Sequence, residues 1–188
     1  MRLAIADPPY LGRAHRNYGP GSELVAFGQG DKTTHSKRPR QTTTHPDADV
    51  WDKPERHRAL VEQLIRDYDG WAIAMNASSL RDYLRWVPDD TRICSWHKPR
   101  SVPTGSRITP SWEPVLVFVP RARRARQTGH MVTDTHVAPD PHDFVGAKPS
   151  SWTRWVLDVL GFLDGDEVTD LFGGSGAVTA EINQQVIL

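Results

Sequence analysis

Residues 7–10, Asp-Pro-Pro-Tyr, place a carboxylate, two prolines and an aromatic ring directly after an apolar run. Proline has no backbone N–H to donate, and it holds the preceding residue in an extended conformation. Asp7, Pro8, Pro9 and Tyr10 should therefore form a stiff arm, with the carboxylate at its base and the ring at its tip. Such an arm suits a planar group stacked near Tyr10, although an ordinary extended turn has the same local pattern.

A second candidate site is the glycine-rich segment 169–179, TDLFGGSGAVT. It has the pattern of a strand end, a turn and a helix start. Gly173, Gly174 and Gly176 permit a tight turn and let a ligand approach the backbone closely. Asp170 can accept hydrogen bonds from an ammonium or from hydroxyl groups. No Gly-Lys-Ser/Thr follows, so this is not a phosphate-binding Walker loop, and a purely structural turn is the alternative.

Both acid-bearing segments leave the carboxyl end of a predicted strand. In an open α/β sheet, ligands bind beyond the carboxyl ends of parallel strands, where the strand order reverses. If the two strands are neighbours, Asp7 and the glycine turn share one crevice. A small cofactor is then expected on one side of the crevice and a planar group near Tyr10 on the other.

The elements that position these segments can be predicted from the spacing of apolar residues. Strands are predicted at 2–6, 70–76, 91–96, 113–120 and 167–172, and helices at 54–68, after Ser78, from Pro149 to Gly161 and at 177–185. Their alternation indicates an α/β sandwich with a mostly parallel sheet, and the strands at 91–96 and 113–120 form a hairpin. Asp52 is predicted to cap the helix at 54–68. Long polar segments at about 11–50 and 121–147 carry no periodicity and are predicted loops.

Composition bounds the class of protein. The 188 residues, 38% of them hydrophobic, suit a single domain over 1–188 with a genuine core. Acidic and basic residues balance at 23 each, so only local clusters can attract nucleic acid. Cys94 is the single cysteine, which favours a reducing compartment and a buried strand position. No apolar run or signal peptide indicates a membrane, and the spacing of the histidines indicates no metal site.

With both segments in view, the chain resembles the amino-group DNA methyltransferases that use S-adenosylmethionine and modify adenine N6 or cytosine N4. Three segments match in the permuted order of that family: DPPY at 7–10, KPSSW at 148–152 and DLFGGSG at 170–176. The order and the spacing together carry the resemblance, which covers the strand framework and leaves out the long polar segments. It implies a Rossmann-like methyltransferase sandwich with a mostly parallel sheet.

The resemblance also implies roles for the arm. Asp7 and the Pro8 carbonyl would accept the two N–H groups of an exocyclic amine, with Pro8 and Pro9 fixing their positions. Tyr10 would stack on a base flipped out of the duplex. Transfer would be a direct displacement from the sulfonium without a covalent enzyme intermediate. An aspartate opening the motif favours adenine, with cytosine N4 or an RNA base as alternatives.

The same resemblance places S-adenosyl-L-methionine at the glycine turn. Asp170 would bind the methionine portion, Phe172 and the turn would shape the pocket, and residues 148–150 would close around it. The implied cofactor-binding residues are Lys148, Pro149, Ser150, Asp170, Phe172, Gly173, Gly174 and Gly176.

Double-stranded DNA is the implied partner, in a bacterial or phage-infected cytoplasm. Two basic clusters follow predicted strands and are expected to reach phosphates beside the crevice, although solvated loop charge is the alternative. Their residues are Lys37, Arg38, Arg40, Arg121, Arg123, Arg124 and Arg126.

The cofactor side is expected to lack outer strands. In this family the helix after the glycine turn leads to a strand whose end carries an acid for the cofactor ribose, whereas here Glu181 lies within the predicted helix. The sheet edge would then be covered by residues 186–188, by a homodimer or by a partner chain. A catalytically degenerate nucleic-acid-binding protein on the same scaffold is the alternative function.

Overall fold

The computed structural model describes residues 1–19, 47–99, 107–141 and 146–186. The strands are β1 (Arg2–Ala6), β2 (Gly70–Ala74), β3 (Arg92–His97), β4 (Trp112–Phe118), β5 (Thr135–Val137) and β6 (Glu167–Asp170). The helices are α1 (Ala14–Tyr18), α2 (Ala48–Trp51), α3 (Pro54–Asp67), α4 (Leu80–Tyr83), α5 (Ser150–Leu160) and α6 (Ala177–Val186). The described part of the chain therefore forms an α/β fold.

The six strands form one mixed sheet in the order β5-β3-β4-β2-β1-β6. β1 pairs in parallel with both β2 and β6, and β3 pairs in parallel with β5. β4 is antiparallel to both β2 and β3, so it alone runs against the other five described strands. The predicted hairpin of β3 and β4 is confirmed, and the sheet is mostly parallel as expected.

Helices cover both faces of the sheet because successive strand residues point to opposite sides. In β1, Leu3 and Ile5 pack on the α5 and α6 side, whereas Ala4 and Ala6 pack on the α3 side. Trp152, Val156, Leu160 and Ile182 fill the first layer, and Leu60, Val61, Leu64 and Tyr83 fill the second. Each large apolar side chain contributes roughly 1.5–3 kcal/mol by leaving water. Cys94 is buried in β3, as predicted.

The start of α3 differs from its prediction. Its N-terminal boundary residue is Lys53, and no side chain caps it. The Asp52 carboxylate instead accepts hydrogen bonds from the backbone N–H groups of Ala14 and His15, at 2.9 and 3.0 Å. The prediction that Asp52 caps α3 is wrong, because the carboxylate satisfies the unpaired amides of a different helix, α1.

The two long polar segments contain more regular structure than their composition predicts. α1 and α2 lie within the first segment, where residues 20–46 are outside the described residues. The second segment holds two single-turn 3₁₀ helices (Arg121–Arg123 and Arg126–Thr128) and β5. No helix in the described ranges has the length and apolar character that a bilayer crossing requires.

Candidate functional site

The Asp-Pro-Pro-Tyr arm and the glycine turn lie side by side at one edge of the sheet. β1 and β6 are adjacent and parallel, and Ile5 is in register with Asp170. The Leu171 amide donates to the Ile5 carbonyl at 3.0 Å, which holds the two strand ends together. A cavity of about 790 Å³ is lined by both segments. The predicted sharing of one crevice is therefore confirmed.

Two neighbouring segments hold the arm. The Asn76 side chain, just past β2, donates to the Leu11 carbonyl at 3.1 Å, and its amide oxygen accepts from the Ser79 amide at 2.8 Å. The Arg13 amide donates to the Tyr10 carbonyl at 2.9 Å. The arm is thus fixed at both ends, by β1 at its base and by Asn76 beyond its tip.

Asp7 is a half-satisfied buried carboxylate. Its Oδ2 atom accepts a hydrogen bond from Lys148 Nζ at 2.7 Å. Its Oδ1 atom is buried and has no hydrogen-bond partner in the described residues. Burial raises the pKa of Asp7, and the Lys148 ammonium opposes that rise. Because an unpaired buried acceptor costs about 1–3 kcal/mol, a donor that reached this atom would relieve that cost.

Lys148 places its ammonium group between the carboxylates of Asp7 and Glu113. The side chain is buried, and its Nζ is 3.7 Å from Glu113 Oε2 as well as bonded to Asp7. The rings of Tyr10, Trp96 and Trp152 surround Nζ with centroids at 5.4, 5.6 and 5.7 Å. Burial alone would lower the pKa of Lys148, but Asp7 and Glu113 outweigh it and raise the pKa. The ammonium therefore stays charged and points at the arm.

Glu113 is a site residue that the sequence does not single out. Its Oε2 accepts a hydrogen bond from the Tyr10 hydroxyl at 2.6 Å, and Lys98 Nζ bonds its Oε1. Burial would raise the pKa of Glu113, but Lys148 and Lys98 lower it overall. Glu113 reaches the arm because β4 is antiparallel, which brings the first residues of that strand to the functional edge.

The glycine turn is closed by the residues that flank it. Gly174 and Gly176 have φ of 22° and 74°, in the left-handed region that favours glycine. Asp170 Oδ1 accepts from the Phe172 amide at 3.1 Å, and Oδ2 accepts from the Thr179 hydroxyl at 2.7 Å. Asp170 therefore fastens the end of β6 to the first turns of α6 across the glycines.

A further wall of the cavity comes from Trp51, at the end of the first polar segment. This residue is not predicted from the sequence as part of the site. The Trp51 ring meets Phe172 edge to face, with centroids 5.0 Å apart. His57 Nε2 lies 2.6 Å from the Trp51 carbonyl, and His57 Nδ1 lies 2.5 Å from the Tyr83 hydroxyl. A neutral His57 that donates from Nε2 and accepts at Nδ1 satisfies both contacts. The one sequence feature that points to Trp51 is a tryptophan beside a polar stretch, and composition alone does not place such a residue at the cavity.

The structure sorts the predicted site residues into two groups. Those that line the cavity are Asp7, Pro9, Lys148, Asp170, Phe172, Gly173 and Gly174. Those that lie outside its lining are Pro8, Tyr10, Pro149, Ser150 and Gly176. Additional lining residues include Tyr18, Asp47, Val50, Trp51, Arg56, Gly146 and Val178. Burial and the Asp7 carboxylate raise the pKa of Tyr18 to about 12, so its hydroxyl stays protonated at the cavity wall.

The expectation that both basic clusters face the crevice is wrong for Arg121, Arg123, Arg124 and Arg126. They follow β4, whose antiparallel direction carries its carboxyl end to the opposite edge, where Phe118 is in register with Trp71 at the start of β2. Lys37, Arg38 and Arg40 lie outside the described residues.

The fold and the cavity define an α/β protein with a cavity at the carboxyl ends of parallel strands, the place where α/β folds commonly bind ligands. Searches against models of known protein families and against curated proteins gave no match. In the ranges that the structure describes, no group of three or more His, Cys, Asp and Glu side chains is arranged to hold a metal ion.

Proposed function

We propose that this chain is a Rossmann-like methyltransferase that moves a methyl group from S-adenosylmethionine to the exocyclic N6 amine of adenine in DNA. The observation that carries the proposal is Asp7 Oδ1, a buried acceptor without a hydrogen-bond partner in the described residues. Asp7 lines the cavity that also reaches the glycine turn. A donor such as an amine N–H would satisfy the acceptor, and the cofactor would lie within reach of it.

The residues around the cavity fit S-adenosylmethionine. The volume of about 790 Å³ falls within the range of roughly 300–1,000 Å³ that small-ligand sites have. A Cβ added at Gly173 or Gly176 would meet no atom within 4 Å, so the turn leaves open space beside its backbone. The glycine turn, Phe172 and Trp51 would hold the cofactor, which supplies a methyl group on a sulfonium.

The arm supplies the acceptors for the target amine. Lone-pair delocalisation into the ring makes an exocyclic amine a poor nucleophile. Asp7 Oδ1 and the Pro8 carbonyl accept its two N–H groups, which favours a pyramidal nitrogen with an available lone pair. Tyr10 stacks on the base, which must leave the duplex because its amine is unreachable inside. Lys148 keeps Asp7 oriented, so its role is toward the carboxylate and not toward the cofactor.

A non-catalytic nucleic-acid-binding protein on the same scaffold is the second candidate. It is favoured by Asp170, whose two carboxylate oxygens both accept hydrogen bonds from the chain itself, at 3.1 and 2.7 Å. An Asp170 side chain that serves only to close the turn would leave the methionine portion of a cofactor without this acceptor. Cytosine N4 and RNA bases remain substrate variants of the first candidate.

Two measurements test the proposal. Calorimetric titration with S-adenosylmethionine should show binding, and no binding at millimolar cofactor excludes the enzyme. Transfer of a radiolabelled methyl group to unmethylated duplex DNA should then be abolished by Asp7→Ala, which removes the carboxylate acceptor.

The matched control is Asp67→Ala, the same exchange at a partly exposed carboxylate on α3 that pairs with Arg66. It should transfer methyl groups at the wild-type rate. Transfer that survives Asp7→Ala would show that this carboxylate is not the acceptor. Digestion of the labelled DNA to nucleosides identifies the modified base.

A further inference from the structure

We propose that Glu113 is a positioning residue of the methyl-transfer site, holding the Tyr10 ring by its hydroxyl and sharing the Lys148 ammonium with Asp7. This inference rests on the proposed function and extends it to a residue outside the three sequence segments that suggested it. Glu113 acts through Tyr10 and Lys148 and is not itself expected to touch the base or the cofactor.

The contacts of Glu113 form one connected network of hydrogen bonds and ion pairs. Lys98 bonds one oxygen of Glu113, and the Tyr10 hydroxyl donates to the other at 2.6 Å. Lys148 Nζ donates to the Tyr10 oxygen at 3.2 Å and to Asp7 Oδ2 at 2.7 Å. Tyr10 is thus tethered at its hydroxyl, and the second oxygen of Asp7 remains for a ligand. A ring that must stack on a base is held at the end farthest from the backbone.

The charges in this network of contacts are balanced in pairs. Two carboxylates, Asp7 and Glu113, face two ammonium groups, Lys148 and Lys98, and the side chain of Glu113 is 17% exposed while that of Lys148 is 3% exposed. Burial makes an unpaired charge costly, so the loss of any one member changes the protonation of the others. The groups that face Asp7 from the surrounding elements are Lys148, Glu113, Lys98, Tyr10, Tyr18 and Tyr83.

Glu113 and Lys148 have opposite effects on Asp7. The negative charge of Glu113 raises the pKa of Asp7, and the positive charge of Lys148 lowers it. The ionised form of Asp7 is the stronger acceptor for the amine, so we expect its titration to set the acidic limb of the pH–rate profile. Neutralising Glu113 should move that limb to lower pH, and neutralising Lys148 should move it to higher pH. Substitutions that affect only folding would not shift the acidic limb of the pH–rate profile in opposite directions.

Three variants separate the two parts of the role. Glu113→Gln keeps an acceptor for Tyr10 and removes the charge, and the acidic limb should fall by about 1 pH unit. Tyr10→Phe removes the hydroxyl tether and keeps the ring, so KM for DNA should rise about tenfold without a shift of the limb. Lys148→Met should raise the limb. Glu62→Gln, at an exposed carboxylate paired with Arg58, is the control and should change neither quantity.

The measurement is the initial rate of methyl transfer to duplex DNA from pH 4.5 to 9, with circular dichroism confirming that each variant is folded. If Lys148→Met does not fold, Glu113→Gln and Tyr10→Phe still decide the matter. An active wild-type chain with an unchanged acidic limb in Glu113→Gln overturns the inference and leaves the methyltransferase intact. A wild-type chain that binds S-adenosylmethionine but transfers nothing to DNA overturns both.

Discussion

Asp7 and His57 show how single buried groups acquire a role from their surroundings. Asp7 has one oxygen bonded to Lys148 and the other facing no protein donor in the described residues, an arrangement that suits ligand binding. His57 has both ring nitrogens engaged, by Tyr83 and by the Trp51 carbonyl. The first group therefore has capacity for a ligand, and the second is fully committed to holding the wall of the cavity.

Stability should depend on pH through His57. Burial lowers its pKa in the folded state, so below the ordinary value of about 6.5 the unfolded chain binds a proton that the folded chain does not. The free energy of unfolding should therefore fall as the pH drops from 7 to 5. Urea denaturation across this range should show a smaller fall in the free energy of unfolding for His57→Gln than for wild type. Part of the pH dependence should remain in this variant, because burial also lowers the pKa of His136.

The control for this prediction is His15→Gln, since His15 lies on the surface and pairs with Asp49. The wild-type slope should persist in that variant. A slope equally steep in His57→Gln would mean that His57 accepts its proton without cost and that Tyr83 and Trp51 do not hold it neutral.

Among the elements, the glycine turn makes the sharpest demand on residue type. Gly176 has φ of 74°, and an L residue pays roughly 1–2 kcal/mol there. Gly176→Ala should lower both stability and the affinity for S-adenosylmethionine, because the turn shapes the cavity. Gly165→Ala is the matched control: Gly165 also has a positive φ, 88°, but it precedes β6, whereas Gly176 lies between the lining residues Ser175 and Ala177. Calorimetry should show weaker cofactor binding for the first variant only.

The direction of β4 separates the basic cluster at 121–126 from the cavity. Arg123 donates to the Gly161 carbonyl at 2.5 Å and to Asp166 at 3.2 Å, which joins the end of β4 to the turn before β6. Arg123→Gln should therefore cost about 2 kcal/mol of stability and leave DNA affinity unchanged. Thermal melting and fluorescence anisotropy with a labelled duplex measure the two effects. A loss of DNA affinity in a folded variant would instead place DNA across this edge.

Local sequence patterns predict the helices and strands well, but they do not predict which strands pair or in which direction. The arm and the glycine turn can be read from the sequence because Pro8, Pro9 and Gly176 restrict their own backbones. Glu113 cannot be found in this way, since an acid at the start of a strand has the same pattern whether the strand runs up or down. Asp52 shows the same limit, because its carboxylate caps a helix 38 residues earlier in the chain.

At the scale of the molecule, the fold brings two distant segments to one cavity. Asp7 and Asp170 are far apart in the chain, yet the parallel pairing of β1 and β6 puts Asp170 in register with Ile5, two residues before Asp7. α/β layering is predictable from the alternation of strands and helices. The strand order depends on long-range packing, which the local pattern of one sequence does not reveal; the buried Trp71, Trp96 and Trp152 contribute to that packing in the two core layers.

Cofactor binding should stabilise the whole chain. A ligand that binds the folded state alone adds about 2.7 kcal/mol at a concentration one hundred times its Kd, which corresponds to roughly 5–10 °C in Tm for a chain of this size. S-adenosylmethionine should produce this shift in wild type and in Asp7→Ala, because the proposed role of Asp7 is toward the amine and not toward the cofactor. Differential scanning fluorimetry measures it, with adenosine as the control for an adenine nucleoside that lacks the sulfonium. No shift in a folded wild-type chain would contradict the proposed site.

The single reversed strand also bears on how this scaffold can be re-engineered. The Lys98 amide donates to the Ser111 carbonyl at 2.8 Å, so the connection between β3 and β4 leaves and returns at one point on the functional edge. Lengthening such a connection costs little, since closure entropy grows only with the logarithm of its length. Segments grafted between these two residues would therefore leave the sheet at the end that carries Glu113 and the arm, without disturbing the strand pairing. In the proposed methyltransferase, contacts to DNA can be added or exchanged in such a segment without changing the residues that line the cavity.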